Sequence, residues 1–113
     1  AMKEPKWETR YRAAEALGRI ADEKAVRPLI AGLKDSRDHV RYMAAKGLRD
    51  VRDSQSIDPL IALLSDENEF VRMMAAKGLG ALGGAKVHAA LGNALAKEKN
   101  DRVKAAITDA MKA

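Results

Sequence analysis

Apolar residues recur along the chain three and four positions apart, the spacing of amphipathic helices rather than strands. Val26, Leu29, Ile30 and Leu33 share one helical face, and so do Val40, Ala44, Gly47, Leu48 and Val51. The pattern predicts a first helix from about Val26 to Lys34 and a second from about Arg37 to Val51. Both recur. Pro28-Leu29-Ile30 returns as Pro59-Leu60-Ile61, opening a helix predicted from about Ile57 to Leu64, at a shift of 31 residues. Val40-Arg41-Tyr42-Met43-Ala44-Ala45-Lys46-Gly47-Leu48 returns as Val71-Arg72-Met73-Met74-Ala75-Ala76-Lys77-Gly78-Leu79 at the same shift. Ala13-Ala14-Glu15-Ala16-Leu17 precedes residues 44–48 by 31, and Val103-Lys104 follows Val71-Arg72 by 32. The expected organisation is one repeat domain over 1–113, with a half unit at 1–21 and units at 22–52, 53–83 and 84–113.

Local signals punctuate the units. Each repeated proline sits early in its helix, where a missing N–H is tolerated. Asp22, Asp53, Asp66 and Asn100 are expected N-caps, with Glu69 three residues after Asp66 completing a capping box. Gly83-Gly84 is an expected helix stop, and Ser36, Ser54, Ser56 and Ser65 fall at turns and helix starts. Paired alanines at 13–14, 44–45 and 75–76 allow neighbouring helices to approach closely. No unit can bury its apolar face alone, so antiparallel helix pairs must stack.

Composition agrees with helices. Of 113 residues 22 are Ala, the best helix former, and aromatics are 4%, which makes an all-β fold a poor fit. A hydrophobic content of 47% is enough for a core and argues against disorder. The absence of cysteine excludes disulfides, thiolate catalysis and thiolate metal sites, and suits a cytoplasmic setting. No apolar run approaches the ~18 residues of a membrane span, and no signal-peptide pattern opens the sequence. Ala1 ahead of Met2 reads as a cloning remnant, and a start in mid-unit suits a piece of a longer array. The net charge of +5 is distributed as +2, +3, −3 and +3 over the successive segments. The acidic third segment breaks what would otherwise be a basic stripe for a phosphate backbone.

Asp22-Glu23-Lys24-Ala25-Val26-Arg27-Pro28-Leu29-Ile30, Leu33, Asp35, Val40-Arg41 and Ala44-Ala45 carry a recognisable resemblance. So do Pro59-Leu60-Ile61, Leu64, Asp66, Val71-Arg72 and Ala75-Ala76-Lys77-Gly78-Leu79-Gly80. The pattern resembles HEAT-like repeats of the phycobilisome-lyase type, and the layout is similar to small archaeal HEAT-like proteins and designed consensus arrays. The resemblance implies an all-α, right-handed solenoid of antiparallel helix pairs, with about seven helices in about 3.5 repeats. Gly84-Ala85-Lys86-Val87-His88-Ala89-Ala90 departs by losing the proline, as an end-capping unit would. The resemblance also implies that Asp35 with Arg41, Asp66 with Arg72, and Glu98 with Lys104 form a structural ladder. Each pair is six residues apart and would tie the turn between helices together. The competing reading is a row of anion-binding arginines.

Motifs for catalysis are weak. Gly78-Leu79-Gly80-Ala81-Leu82-Gly83 satisfies G-x-G-x-x-G but lies at the tail of a predicted helix, without the strand that a dinucleotide site requires. His39 and His88, the two histidines, lie in different units and form no H-E-x-x-H motif, so no metal ligands are expected. HEAT-like hydroxylases use His-Glu pairs that this chain lacks. A bilin-lyase-like activity is not carried over either, and no catalytic residue or cofactor is expected.

The larger apolar side chains point elsewhere. Advancing 100° per residue from residue 40 places His39, Tyr42, Met43, Lys46 and Asp50 between about −60° and −160°, away from the core face. Phe70, Met73, Met74, Lys77 and Ala81 take the same angles one unit on, and Glu8, Tyr11, Arg12, Glu15 and Arg19 one unit back. Second helices line the concave surface of such solenoids. The expected partner-binding strip is therefore Tyr11, Arg12, His39, Tyr42, Met43, Lys46, Phe70, Met73, Met74 and Lys77. Aromatic and thioether side chains suit a protein or peptide segment, and the flanking cations suit acidic residues on it. The competing arrangement packs these side chains between neighbouring second helices. Trp7 aligns with Asp38 and Glu69, outside the strip, and is expected to cover the N-terminal end. A non-enzymatic scaffold, monomeric or weakly dimeric, is the first reading. Nucleic-acid binding through a basic concave face is the second, and a lyase- or hydroxylase-like enzyme component ranks below both.

Overall fold

The long apolar periods fold as long helices and the proline-bearing ones as short helices. In the computed structural model, which describes residues 6–20 and 22–112, α1 (Trp7–Ile20), α3 (Asp38–Val51) and α5 (Glu69–Leu82) are each 14 residues long. The Ala1-Met2 reading lies outside the described residues. Helices α2 (Val26–Gly32) and α4 (Ile57–Leu63) span only seven residues, each preceded by a 3₁₀ turn, Glu23–Ala25 and Ser54–Ser56. Proline is the reason. Its ring clashes with the carbonyl four residues earlier, that of Lys24 or Gln55, so the α-helical ladder cannot extend back to that residue, and the chain there tightens instead. Asp22 and Asp53 cap these turns through the Lys24 and Gln55 N–H groups. Where the proline is missing, α6 (Ala85–Lys97) runs uninterrupted for 13 residues before α7 (Asp101–Lys112).

These seven α-helices of the described residues form a two-layer solenoid. Helices α1, α3, α5 and α7 pack side by side in one layer, with α2, α4 and α6 across from them. The result is a slab of about 46 × 28 × 18 Å. Leu29, Leu48, Leu60, Leu79, Leu91 and Ile107 are fully buried between the layers. Ala44, Ala45, Ala75 and Ala76 are likewise sealed, and at α1–α3 the backbones nearly touch: a Cβ on Gly18 would lie 2.9 Å from Gly47 Cα. Gly83 ends α5 with φ 70°. One unit earlier Arg52 holds the same place in the left-handed region, at φ 57° and ψ 50°. A side chain there costs what Gly avoids. Arg52→Gly should therefore raise stability by about 0.5–1 kcal/mol in urea unfolding.

The ladder exists, and its rungs run between units rather than within them. Arg10 Nε donates to Asp35 Oδ2 at 2.7 Å, Arg41 Nε to Asp66 Oδ1 at 2.8 Å, and Arg72 Nε to Glu98 Oε1 at 2.9 Å. The expected Asp35–Arg41 and Asp66–Arg72 side-chain pairs are thus replaced by contacts 25 or 26 residues apart. Each later arginine still serves its own turn: Arg41 Nη1 donates to the Asp35 and Ser36 carbonyls, and Arg72 Nη1 to those of Asp66 and Glu67. Stacking brings the next unit's acid closer to the guanidinium fork than its own acid, whose carbonyl faces it instead. Lys104 is not paired with Glu98, because Arg72 occupies that carboxylate. Arg10, 31 residues before Arg41, supplies the first rung, which lies outside the six-residue pairs expected from the sequence.

Each ladder acid also orders the turn after it, accepting the N–H of Arg37, Asn68 or Asn100. Asp66 therefore does not cap α5. Asn68 does, accepting from the N–H groups of Phe70 and Val71, and the expected Asp66–Glu69 box is not formed. The Arg10 hydrogen bond lowers the pKa of Asp35 against the opposing effect of burial. Burial raises that of Glu98, and hydrogen bonds from Arg72 and the Asn100 N–H outweigh it, leaving it below the ordinary 4.5. A carboxyl lowered on folding stabilises fully above its unfolded pKa, and this is lost as pH falls through the folded one. The melting temperature should therefore decline below about pH 4.5, and Glu98→Gln should make that acid limb shallower.

Candidate interaction face

Side-by-side packing of α1, α3 and α5 decides which strip residues are open. Met43 and Met74 are not: at 6% and 4% exposure they belong to the core. This corrects their place in the strip. A helix within a layer has neighbours on both flanks, which narrows the arc left to solvent. Tyr11, Tyr42 and Met73 are half-buried against that core. Arg12, His39, Lys46 and Lys77 are exposed, and Phe70 is 50% exposed, a large apolar ring held out in water.

Tyr11, Asp38, His39, Tyr42, Asn68 and Phe70 together line a cleft of about 340 Å³ across α1, α3 and the start of α5. Asp38 and Asn68 are the members that hydrophobic periodicity could not nominate, being polar and at the helix starts. Asn68 Nδ2 donates to Asp38 Oδ2 at 2.8 Å, and His39 Nδ1 lies 2.8 Å from Asp38 Oδ1. Burial acts to raise the Asp38 pKa, and the Asn68 and His39 contacts more than offset it, so the carboxyl sits below its ordinary range.

Trp7 does not merely cover an end. Its ring lies 4.9 Å from His39 and 6.4 Å edge-on from Tyr11, with the Arg37 guanidinium 4.3 Å above it. Trp7 and Arg37 stand 31 residues before Asp38 and Asn68, so a cation–π contact fills the place that an Asn–carboxylate hydrogen bond fills one unit on. Glu69 and Asn100 repeat the hydrogen-bonded version at 2.6 Å. Arg37, unlike Asn68, makes no cap for its helix.

His39 and His88 stay in different units, and no group of three or more His, Asp or Glu among the described residues could hold a metal ion. Gly78, Gly80 and Gly83 lie in and just after the tail of α5. No helix among the described residues is long and apolar enough to cross a membrane.

Two layers of antiparallel helix pairs, joined by repeated inter-unit ion pairs, define a helical-repeat scaffold. The family model for HEAT repeats matches residues 1–61 and 26–112, and the chain belongs to that family. HEAT repeats are generally protein-interaction scaffolds and typically not enzymes. Comparison with curated proteins returns no match.

Proposed function

We propose that this chain is a non-enzymatic protein-interaction module that holds a segment of another protein along the exposed face of α1, α3 and α5. The observation that carries the reading is the aromatic-lined cleft formed by Tyr11, Tyr42, His39 and Phe70, with Phe70 half in solvent. Aromatic rings give large contact area at low entropic cost, and an exposed apolar patch needs a reason. Residues 1–113 act as one such domain, built from the half unit and three units, in a reducing compartment such as the cytoplasm. Lys46 and Lys77 lie seven residues, about 10 Å of helix, beyond His39 and Phe70 and would meet acidic residues of the segment. Glu15 and Asp109 stand at either end of that lysine row, which is a poor surface for a continuous phosphate backbone.

Selection from a random peptide display library tests the reading. Peptides with apolar anchors and acidic residues should be enriched by the native chain. The Tyr42→Ser, Phe70→Ser double variant should lose at least about 90% of that capture while keeping its helical circular dichroism. Equal capture by the double variant would overturn the reading.

A further inference from the structure

The cleft that carries the interaction-face reading has a chemistry of its own, and the inference here rests on that reading. Its walls are three aromatic rings, an imidazole, an amide and the carboxylate of Asp38, with no lysine or arginine among them. The side chain of Asp38 is 37% exposed, so it presents negative charge to whatever enters. Its two neighbours are the neutral Asn68 amide at Oδ2 and the His39 ring at Oδ1, and neither is a lysine or an arginine. Aromatic faces are themselves negative and attract cations. A carboxylate beside aromatic faces is the complement of an organic cation, not of an acid.

The molecule already uses this chemistry one unit earlier, where the Arg37 guanidinium covers Trp7 at 4.3 Å. At the repeat-equivalent place beside Asp38 stands neutral Asn68, which satisfies a hydrogen bond without bringing the fixed positive charge that Arg37 brings one unit earlier. We propose that the cleft is a specificity site for an arginine side chain of the bound segment, its guanidinium set against Tyr42 and Phe70 and paired with Asp38. Arginine fits better than lysine because its flat fork stacks on rings and pairs with a carboxylate simultaneously. Combined with Lys46 and Lys77, about 10 Å away, the site prescribes a segment with a base and an acid at that separation. That is about three residues in an extended segment or seven in a helix.

The test is NMR titration of the full chain with N-acetyl-arginine amide and its uncharged mimic N-acetyl-citrulline amide. Arginine amide should give saturable shifts at His39, Tyr42 and Phe70, with citrulline amide about ten-fold weaker or more. Asp38→Asn, which keeps an oxygen for Asn68, should abolish that discrimination, and the surface change Phe70→Ala should weaken binding several-fold. Equal affinity for the two probes, or no saturable shifts at the cleft, would overturn the arginine assignment. Library peptides that still require Tyr42 and Phe70 but carry no basic residue would overturn it while leaving the interaction face standing. Loss of both signals would sink the two readings together.

Discussion

Replacing Arg41 by Ala should cost about 3–5 kcal/mol, the usual loss when one partner of a buried ion pair is removed. Arg41 is 8% exposed and donates four hydrogen bonds, two to the Asp66 carboxylate and two to the Asp35 and Ser36 carbonyls. Truncation strands Asp66, whose side chain is 9% exposed, and two turn carbonyls as well. Lysine should recover little, since a single ammonium cannot reach both the next unit's carboxylate and its own turn. Arg12→Ala, on the exposed face, should change stability by no more than about 0.5 kcal/mol. The rung also couples units, and repeat stability is a sum of intrinsic and nearest-neighbour terms. Trp7, the single tryptophan, touches His39 and Arg37 and so reports α1 with the start of α3, the N-terminal side of this rung, whereas circular dichroism reports all helices. In Arg41→Ala the tryptophan fluorescence should change at lower urea than the circular dichroism. Coincident transitions, or a loss below about 1 kcal/mol, would show that the rung does not hold the stack together.

That rung illustrates what was legible beforehand. The repeat of 31 residues, the helix pairs and the buried alanine doublets at 44–45 and 75–76 follow from periodicity, because one period constrains many positions at once; in the 13–14 doublet Ala14 is buried and Ala13 is exposed. The partner of Arg41 does not. A spacing of six within a unit and of 25 between units are equally visible in sequence, and only the stacking of α3 on α5 selects the second. Arg10 was available to the same period as Arg41, and Gly83 to the same period as Arg52. The methionines failed for another reason. An angle on a helical wheel separates the core face from the rest, but it does not count flanking helices, which cover part of the rest. Asp38 and Asn68 entered the cleft unannounced because capping and turn chemistry, not hydrophobicity, brought them there. The contact of Arg37 with Trp7 becomes readable only when residues 7 and 37 are aligned with 38 and 68.

The division between core and face leads to the second large effect. Met74→Ser should destabilise by about 2–5 kcal/mol, because Met74 is 4% exposed and its loss leaves a cavity with a hydroxyl placed in it. Met43→Ser, at 6% exposure, should behave likewise. Phe70→Ser should cost less than about 1 kcal/mol, as half of its ring already faces water. Urea midpoints at constant m-value check the stability ordering, and peptide capture by the same variants checks function. Under the proposed function, Phe70→Ser loses capture with the fold retained, whereas Met74→Ser loses capture only as far as it unfolds. Stabilising the Met74→Ser background, for example with Arg52→Gly, should then restore capture in proportion to the folded fraction. If Met74→Ser stays folded and loses capture, the methionine row belongs to the binding face, and the assignment of α5's sides must be reversed.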